Sequence, residues 1–353
     1  MSRNKVLLEE ASKIRCSHLV AFEPENIFYM TGFWGEVIAL LNDDGIKIIA
    51  PKLEVERARV GSRNCKVIQS ERGSDMLESL LSNLNNGNVC TDCNDYSTIV
   101  KIRQKIGKRL IHNTEPFYRA RKIKDNKEIE TIAKASRILD KLFVICEKQI
   151  KPNITEKQLQ AMLIYEAMNM GAYPPAYRFT VSPLIVASGI NSSLPHAEPT
   201  DRKIRKGDLV TVDLTLRYNG YIADATRTFG VGSIDPEKKK VYQIVKEAQE
   251  HGLDAVKAGA ECGAVDNACR SFIKKEGYGK YFIHSTGHGI GLEVHEPPWL
   301  RAKNTEVLHK NMAITIEPGI YLPNKFGVRI EDSLIIDKKP RILNRYTRDL
   351  ILL

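Results

Sequence analysis

Apolar and polar positions alternate with two different periods along the chain, and the period separates predicted strands from predicted helices. In the first third, short apolar runs at residues 37–41 and 46–50 flank the turn-forming residues 42–45, which predicts a hairpin. Helices are predicted near residues 53–60 and 75–84. Strands that alternate with helices in this way indicate an α/β domain, which we assign to residues 1–120.

The remaining residues, 121–353, show a different order of elements. Apolar residues recur with a helical period over 126–148, and Thr155 with Gln158 forms a capping-box pattern that starts a second helix. Two further helices are predicted later in the chain, over 236–257 and 263–276, and strand-like runs follow each helix pair. This order indicates a second, α+β domain built from two related halves.

The segment 209–230 is a predicted hairpin that places two aspartates on one face. Two strand-like runs flank Asn219 and Gly220, which together are a strong turn signal. If these two residues form the turn, Asp213 and Asp224 lie diagonally across the strands. If the centre of the turn lies one residue earlier, they lie directly opposite each other. Both registers bring the two carboxylates close together.

Two like charges at such close range are costly unless one carboxylate is protonated or a cation lies between them. A plainer interpretation is an amphipathic hairpin with two solvent-facing aspartates. Two further strand-like runs, 313–317 and 327–331, favour the cation, because each carries a glutamate, Glu317 or Glu331, on its less apolar face. Four short strands are therefore expected to present one carboxylate each.

A glycine-rich segment between these pairs contains three histidines, His284, His288 and His295. Glycine permits unusual dihedral angles and close backbone approach, which is typical of a loop that presents ligands. A lone histidine is more often a structural residue, whereas a cluster of this kind favours a metal or catalytic site.

Four carboxylates and one imidazole from these segments would form an oxygen-rich donor set with a formal charge of minus four. Its members are Asp213, Asp224, His288, Glu317 and Glu331. Two divalent metal ions would balance that charge, and we expect Mn or Co, with Zn or Fe as alternatives. A binuclear site about 3.5–4 Å across polarises a carbonyl and generates hydroxide from water, so the set predicts hydrolysis.

These residues resemble the ligand set of the pita-bread metallopeptidases, the family of methionine aminopeptidase, aminopeptidase P and prolidase, and all five positions match. The resemblance implies that Asp213 contacts mostly one metal, whereas Asp224 and Glu331 bridge the two. It also implies that His288 and Glu317 complete the shell of one metal, and that Glu317 shuttles the proton of the attacking water. The fold implied is a pita-bread (creatinase/aminopeptidase-like) catalytic domain.

The resemblance extends to the proline-specific branch of this family. The run around His196 resembles the segment in which a histidine steadies the transition state near the leaving nitrogen. A proline nitrogen needs protonation as the bond breaks, and imidazole is a common donor; a loop histidine without a role is the alternative. His284 and His295 resemble substrate-contacting histidines, and Tyr321 and Arg329 match positions that support the ligands.

One departure from the branch concerns the substrate's free carboxylate. Members specific for dipeptides usually bind it with an arginine shortly after the second histidine; the corresponding residue here is Trp299. Arg301, two residues later, is the candidate to take over this role. Because guanidinium binds carboxylate bidentately, its loss would relax the demand for a free C-terminus. The sequence therefore predicts an Xaa-Pro dipeptidase (prolidase), with an Xaa-Pro aminopeptidase acting on longer peptides as the alternative. A non-catalytic binding module is disfavoured because no ligand is lost.

The residues before the catalytic domain carry a second resemblance. Residues 22–33 resemble the creatinase-like N-terminal domain that precedes the pita-bread domain in prolidases. In that family the domain shapes the substrate entrance and contacts a partner subunit. The resemblance therefore implies a homodimer.

Composition adds expectations about partners and location. The net charge of +10 raises nucleic-acid binding as a rival function, but the basic residues form short clusters without interleaved aromatics, so we expect neither nucleic acid nor a membrane as partner. No apolar run is long enough for a membrane helix, and acids follow a very short apolar patch near the start, which argues against a signal peptide. Seven cysteines, an odd number, fit a reducing compartment, so we expect a cytoplasmic protein. The spacing of Cys90 and Cys93 is weak evidence for a metal or redox role.

Overall fold

A computed structural model of the chain describes residues 3–177, 180 and 184–353. The chain divides into two compact units, Met1–Arg121 and Lys122–Leu353. Across the part of the chain that is described, none of the helices combines the length and apolar character needed to traverse a lipid bilayer.

The N-terminal unit is an α/β domain, as the sequence predicts. Its helices are α1 (Arg3–Lys13), α2 (Pro24–Thr31), α3 (Val55–Gly61), α4 (Ser74–Ser82), α5 (Tyr96–Ile106) and, at the division between the units, α6 (Glu115–Lys122). Its strands are β1 (His18–Ala21), β2 (Ile38–Asn42), β3 (Gly45–Pro51), β4 (Cys65–Ser70), β5 (Val89–Thr91) and β6 (Leu110–His112). They form one mixed sheet in the order β4-β3-β2-β1-β5-β6. Asn42 pairs with Gly45, which confirms the hairpin predicted between the first two apolar runs.

The second unit contains the predicted succession of helix pairs and strands. Its helices are α7 (Asn126–Gln149), α8 (Glu156–Asn169), α9 (Pro236–Ala255) and α10 (Cys262–Lys275). The strands before α9 are β7 (Ala172–Tyr173), β8 (Ile185–Ser188), β9 (Leu209–Tyr218) and β10 (Tyr221–Gly230). The strands after α10 are β11 (Gly287–Gly289), β12 (Glu296–Leu300), β13 (Ala313–Ile316), β14 (Gly319–Leu322), β15 (Phe326–Arg329), β16 (Asp332–Ile335) and β17 (Arg341–Ile342).

Two hydrophobic cores organise this unit into two α+β halves. In the first half, α7 and α8 share a core with the sheet β10-β9-β7, to which β8 adds beside β9; Phe143, Leu163 and Val212 are buried there. In the second half, α9 and α10 share a core with the sheet β12-β11-β13-β16-β17, where Val245 and Ile314 are buried. The two acid pairs of the sequence fall one in each half.

Local signals explain where the first helix pair begins. The Thr155 side chain accepts a hydrogen bond from the Gln158 N–H, and the Gln158 side chain returns to the Thr155 backbone, so the predicted capping box is present. Asp125 and Glu128 form an equivalent box at the start of α7. Because these side chains satisfy backbone N–H groups that have no partner within the helix, they fix both starting points.

The β9–β10 hairpin sets the relation between its two aspartates. Tyr218 pairs with Tyr221 across a two-residue turn in which Asn219 has φ 46° and Gly220 has φ 87°. Positive φ at both central residues is the requirement of a type I′ turn, which Asn-Gly meets at low cost. In this register Asp213 is paired with Thr226, and Asp224 with Thr215. The diagonal arrangement is therefore confirmed, and the directly opposed register is wrong.

Candidate metal centre

Three buried side chains from separate segments converge in the second unit. Asp224 comes from β10, His288 from β11, and Glu331 from the residues between β15 and β16. One donor atom from each residue lies within 4.8 Å of the other two. Each of the three residues is at most 5% exposed. Carboxylate oxygens and an imidazole nitrogen at this spacing are a donor set for a divalent metal ion.

The other two predicted ligands border this cluster. The His288 Nε2 atom lies 3.4 Å from Glu317 Oε1. Burial, followed by the charges of Asp213 and Glu317, raises the pKa of Asp224 well above its ordinary value of 3.8. The structure thus brings all five predicted positions into one electrostatic cluster, although they are spread from residue 213 to residue 331.

The strand assignment of the two glutamates was wrong. Glu317 lies just beyond β13, and Glu331 lies in the step from β15, which pairs with β14, to β16, which pairs with β13. Glu317 is fixed by its N–H, which donates to the Thr286 carbonyl at 2.7 Å, and Glu331 exchanges backbone hydrogen bonds with Thr226 at 3.1 and 3.4 Å. At these points the chain passes from one strand pair to another. The two side chains therefore do not follow the alternation of a regular strand, and both lie at the cluster.

The tautomer of His288 follows from its neighbour. The Nδ1 atom lies 3.0 Å from the Gly289 carbonyl oxygen, which can only accept, so Nδ1 carries the proton. Nε2 therefore keeps its lone pair and points toward Glu317. Burial is the main reason that the pKa of His288 lies well below 6.5, so the ring is neutral, as a metal ligand must be.

Only some of the carboxylate oxygens in this cluster accept hydrogen bonds. Thr215 donates to Asp224 Oδ1 at 2.9 Å, and Thr226 donates to Glu331 Oε2 at 2.8 Å. The buried oxygens Asp213 Oδ1 and Glu331 Oε1 have no hydrogen-bond partner among the described residues. Buried polar atoms in proteins are almost always paired, so orphaned oxygens in a cluster of acids fit a cation.

Arg329 supports this cluster from within. Its guanidinium pairs with Asp213 Oδ2 at 2.6 Å and donates to the Tyr321 hydroxyl at 2.7 Å and to Thr226 Oγ1 at 3.1 Å. The side chain is 3% exposed, which excludes a solvated surface pair. Gly327 leaves room for this arrangement, because a Cβ there would lie 2.8 Å from the Tyr321 ring and 2.0 Å from the Ser192 carbonyl oxygen.

Two of the remaining histidines differ in which nitrogen is available. His284 is engaged at both atoms, since Nδ1 donates to the Ser285 carbonyl at 2.8 Å and Nε2 accepts from the Tyr321 hydroxyl at 2.9 Å. His295 contacts the Tyr177 hydroxyl through Nδ1 at 3.0 Å, and among the described residues its Nε2 has no partner. Burial is the main cause that lowers the pKa of His284 to about 3 and also lowers that of His295. Both rings are neutral at pH 7.

His196 and Arg301 are the two exposed members of the predicted site. The charge of His196 contributes to the lowered pKa values of His284 and His295, which indicates that the three imidazoles are neighbours. Arg301 directly follows β12, whereas Trp299 within that strand stacks on the His295 ring with centroids 6.2 Å apart. The position of the expected arginine is thus filled by an indole that packs on a histidine.

Three supporting residues were missed by the sequence reasoning, namely Thr215, Thr226 and Tyr177. The two threonines carried a usable signal, because Thr215 lies two residues from Asp213, and Thr226 two residues from Asp224, on the same strand face. Tyr177 carried no such signal, because its contact with His295 joins residues 118 apart.

The Cys90 and Cys93 pair shows the environment of ordinary buried thiols. Cys90 Sγ lies 3.0 Å from the Asn113 carbonyl oxygen. Cys90 and Cys93 are both at most 1% exposed. Burial raises the pKa of both thiols, that of Cys93 to about 11. A protonated, buried thiol is a poor nucleophile and metal ligand, so this environment does not favour a redox or metal role.

Comparison with known proteins identifies the family. The model of Metallopeptidase family M24 matches residues 130–338, and the model of the Creatinase/Prolidase N-terminal domain matches residues 3–123. The chain is 35% identical over 333 residues to Xaa-Pro dipeptidase of Pyrococcus furiosus, and the alignment covers 93% of each protein. The chain therefore belongs to metallopeptidase family M24, and it is a metal-dependent hydrolase.

Solved structures of the same family share the architecture. The prolidase from Pyrococcus horikoshii superposes with a TM-score of 0.91 at 33% identity and 99% coverage of both chains. The X-Pro aminopeptidase from Thermotoga maritima superposes with a TM-score of 0.90 at 32% identity and full coverage of both chains. The predicted fold, a creatinase-like N-terminal domain followed by a pita-bread catalytic domain, is confirmed.

Proposed function

We propose that this protein is an Xaa-Pro dipeptidase that hydrolyses the peptide bond before proline. The observation that carries the proposal is the buried acid cluster with two orphaned carboxylate oxygens, Asp213 Oδ1 and Glu331 Oε1, beside three neighbouring imidazoles. A cluster of this kind supplies a cation site and proton-transfer groups in one place, which is what hydrolysis of an unactivated amide requires.

Five side chains would hold two divalent ions, for which we propose Mn or Co, with Zn or Fe as alternatives. They are Asp213, Asp224, His288, Glu317 and Glu331. When bound, the ions would polarise the substrate carbonyl and make water a better nucleophile near neutral pH. Thr215, Thr226 and Arg329 would orient the carboxylates, because each donates to an oxygen of the cluster or to its immediate partner.

Glu317 is the residue we assign to proton transfer. In the metal-free chain, burial raises the pKa of its carboxyl to about 8, while the charge of Arg329 opposes the shift. Bound cations would lower this pKa, so the assignment rests on position: Glu317 Oε1 lies at the edge of the cluster, 3.4 Å from His288 Nε2. Glu317 is also partly exposed, with 16% of its side chain accessible, so a water proton can reach it.

The imidazoles would act on the proline side of the scissile bond. His295 offers Nε2 to the substrate while Tyr177 fixes its ring. His196 is exposed and, among the described residues, its ring forms no hydrogen bond, so it is free to protonate or steady the leaving nitrogen. His284, engaged at both nitrogens, would hold Tyr321 and through it Arg329 in place.

A second candidate function is cleavage of longer Xaa-Pro peptides. It is favoured by Trp299, which stacks on His295 where a carboxylate-binding arginine is expected for a dipeptidase. The similarity to the X-Pro aminopeptidase from Thermotoga maritima points the same way.

For the dipeptidase, we assign Arg301 as the residue that binds the substrate's carboxylate in place of the expected arginine, because it is exposed directly after the strand that carries Trp299.

The test compares Leu-Pro, Leu-Pro-amide and Leu-Pro-Gly-Gly as substrates of the purified protein with Mn²⁺ or Co²⁺, and again with chelator. Cleavage of Leu-Pro alone supports the dipeptidase, and the variant Arg301→Ala should then raise KM for Leu-Pro by roughly tenfold or more. Equal or better cleavage of the longer peptide supports the aminopeptidase. Failure on all three substrates, with metal bound, would refute both peptidase functions and favour a binding module.

The proposed homodimer and metal identity need separate measurements. Light scattering coupled to size exclusion distinguishes one 39.8-kDa chain from two. Elemental analysis of protein purified without added metal reports which ion occupies the site, since availability in the cell contributes as much as affinity to metal selection.

A further inference from the structure

The loop that carries His196 must be held in place if His196 is to act on a substrate. It follows β8 and begins with a short 3-10 turn, Gly189–Ser193. Its residues Ile190, Leu194 and His196 are exposed. Because the His196 ring forms no hydrogen bond among the described residues, its position depends on how the backbone of the loop is held.

One buried carboxylate binds both ends of this loop. Glu156, the first residue of α8, is 0% exposed. Its Oε1 accepts from the backbone N–H and the hydroxyl of Ser188, each at 2.7 Å. Its Oε2 accepts from the backbone N–H of Thr200 at 2.9 Å and from the Thr200 hydroxyl at 2.7 Å. Asn191 adds a donor at 3.0 Å to Oε2. The residues bound thus lie on either side of His196.

The chemistry of this contact makes it sensitive to the charge on Glu156. A buried carboxylate is stable only when its lone pairs are filled by donors, and here they are filled by two loop segments rather than by a direct ion pair. Arg202 contributes indirectly, since it donates to the Ser188 hydroxyl at 2.6 Å. Moving either loop end away would leave the carboxylate buried and underbonded, so the carboxylate holds both ends together.

The middle of the loop has separate anchors. The Gly327 N–H donates to Ser192 Oγ at 2.9 Å, and Arg329 donates to the Pro195 carbonyl at 3.2 Å. Arg329 also touches the predicted metal ligand Asp213, so its substitution would disturb metal binding and the loop together. Unlike Arg329, Glu156 can be changed without touching a predicted metal ligand, and unlike Ser192 it binds both ends of the loop.

We propose that Glu156 is a positioning residue that acts through His196 by fixing both ends of its loop. This inference rests on the proposed function, because it requires that His196 contribute to turnover. Displacement of a catalytic group by about 1 Å can cost up to roughly 100-fold in rate. Loss of the carboxylate should therefore lower kcat by about 10- to 100-fold, with bound metal and KM nearly unchanged.

The experiment is a double-mutant cycle with Glu156→Gln and His196→Ala, measured as kcat and KM on Leu-Pro and Leu-Pro-Gly-Gly with metal content determined for each variant. Glutamine keeps the shape of the side chain but presents an NH₂ group to donors. Glu156→Gln should lower kcat in the native background and change it less than twofold in the His196→Ala background. Hydrogen exchange should increase across residues 189–199 in the same variant.

Two further variants keep the test decisive. Thr200→Val keeps the Glu156 carboxylate but removes the hydroxyl that donates to it and that accepts from Asn191 and from the Arg202 N–H. It should show the same pattern more weakly, so it replaces Glu156→Gln if that variant does not fold. Asp92→Asn is the matched control, because Asp92 is also 0% exposed and accepts three hydrogen bonds within the N-terminal unit. It should lower thermal stability and leave kcat unchanged.

The outcomes separate this inference from the proposed function. An inactive, metal-loaded wild type sinks the peptidase function. If the wild type is active, three results would overturn this inference and leave the peptidase function standing. They are a loss of kcat in Glu156→Gln that is the same with and without His196, full activity of His196→Ala, and unchanged hydrogen exchange in the loop.

Discussion

Replacing Thr226 with valine should weaken metal binding without unfolding the protein. The Thr226 hydroxyl donates to Glu331 Oε2 at 2.8 Å and accepts from Arg329 Nε at 3.1 Å, and the residue is completely buried. Valine has nearly the same shape but neither donates nor accepts. Glu331 would then have no side-chain donor on either oxygen, since Oε1 already lacks a partner.

The magnitude follows from the hydrogen bond that is lost. A hydrogen bond to a charged group contributes about 1.5–3 kcal/mol. Each 1.4 kcal/mol corresponds to about a factor of ten in Kd, so we expect the Kd for Mn²⁺ to rise by roughly 10- to 100-fold. Because the carboxylate itself remains, saturating metal should restore much of the activity.

The assay is a Mn²⁺ titration against a competing fluorescent chelator, combined with activity as a function of free metal. Thr228→Val is the matched control. Thr228 lies two residues further along the same strand, is 2% exposed, and donates to the Arg329 carbonyl at 3.0 Å rather than to a carboxylate. Both variants should lose stability. If Thr228→Val weakens Mn²⁺ binding as much as Thr226→Val, or if neither does, the reasoning about Glu331 is refuted.

Three more predictions follow from the same unit. Glu331→Gln should abolish bound metal and turnover together while the circular dichroism spectrum stays native; full activity with no bound metal would contradict the mechanism. In the metal-free chain burial raises the pKa of Glu317 from 4.5 to about 8, so the folded state retains a proton that the unfolded chain releases. Thermal melts of chelated protein should therefore show stability falling as pH rises through this interval, and Mn²⁺ should reverse the trend. Lys124→Met should destabilise the second unit by about 3–5 kcal/mol in urea titrations, because Lys124 and Glu296 are paired at 2.8 Å with side chains 1% and 2% exposed. Lys157→Met, which breaks an exposed pair, should cost at most about 1 kcal/mol.

Local signals were sufficient for much of the fold. The Asn219-Gly220 turn, the Thr155 capping box and the apolar spacing of α7 each depend on residues within a few positions of one another. The helix and hairpin bounds predicted from them agree with the structure to within a few residues. The five ligand positions were predicted from residue types and an order that match a known family, and they stay a prediction.

Contacts between distant segments were not predictable in the same way. Glu331 was assigned to a strand because its neighbours alternate, yet its backbone pairs with Thr226, more than one hundred residues earlier. The sequence marks Glu156 only by its place after the capping residue Thr155, while the role that we propose for it depends on contacts with Ser188 and Thr200. Single-sequence periodicity reports which face a residue occupies, and it does not report which segment will cover that face.

The type I′ turn of the β9–β10 hairpin limits how this part of the chain can change in length. Surface turns usually tolerate insertions and deletions. Here a one-residue length change that shifted the pairing would send Asp213 or Asp224 to the apolar face of the sheet. A two-residue change would keep the face but move one aspartate along its strand by about 7 Å, away from Arg329 or from His288 and Glu331, even in the direction that brings the two aspartates directly opposite each other. We therefore expect homologues that retain both aspartates to show no length variation between them, although Asn219 in the turn is exposed.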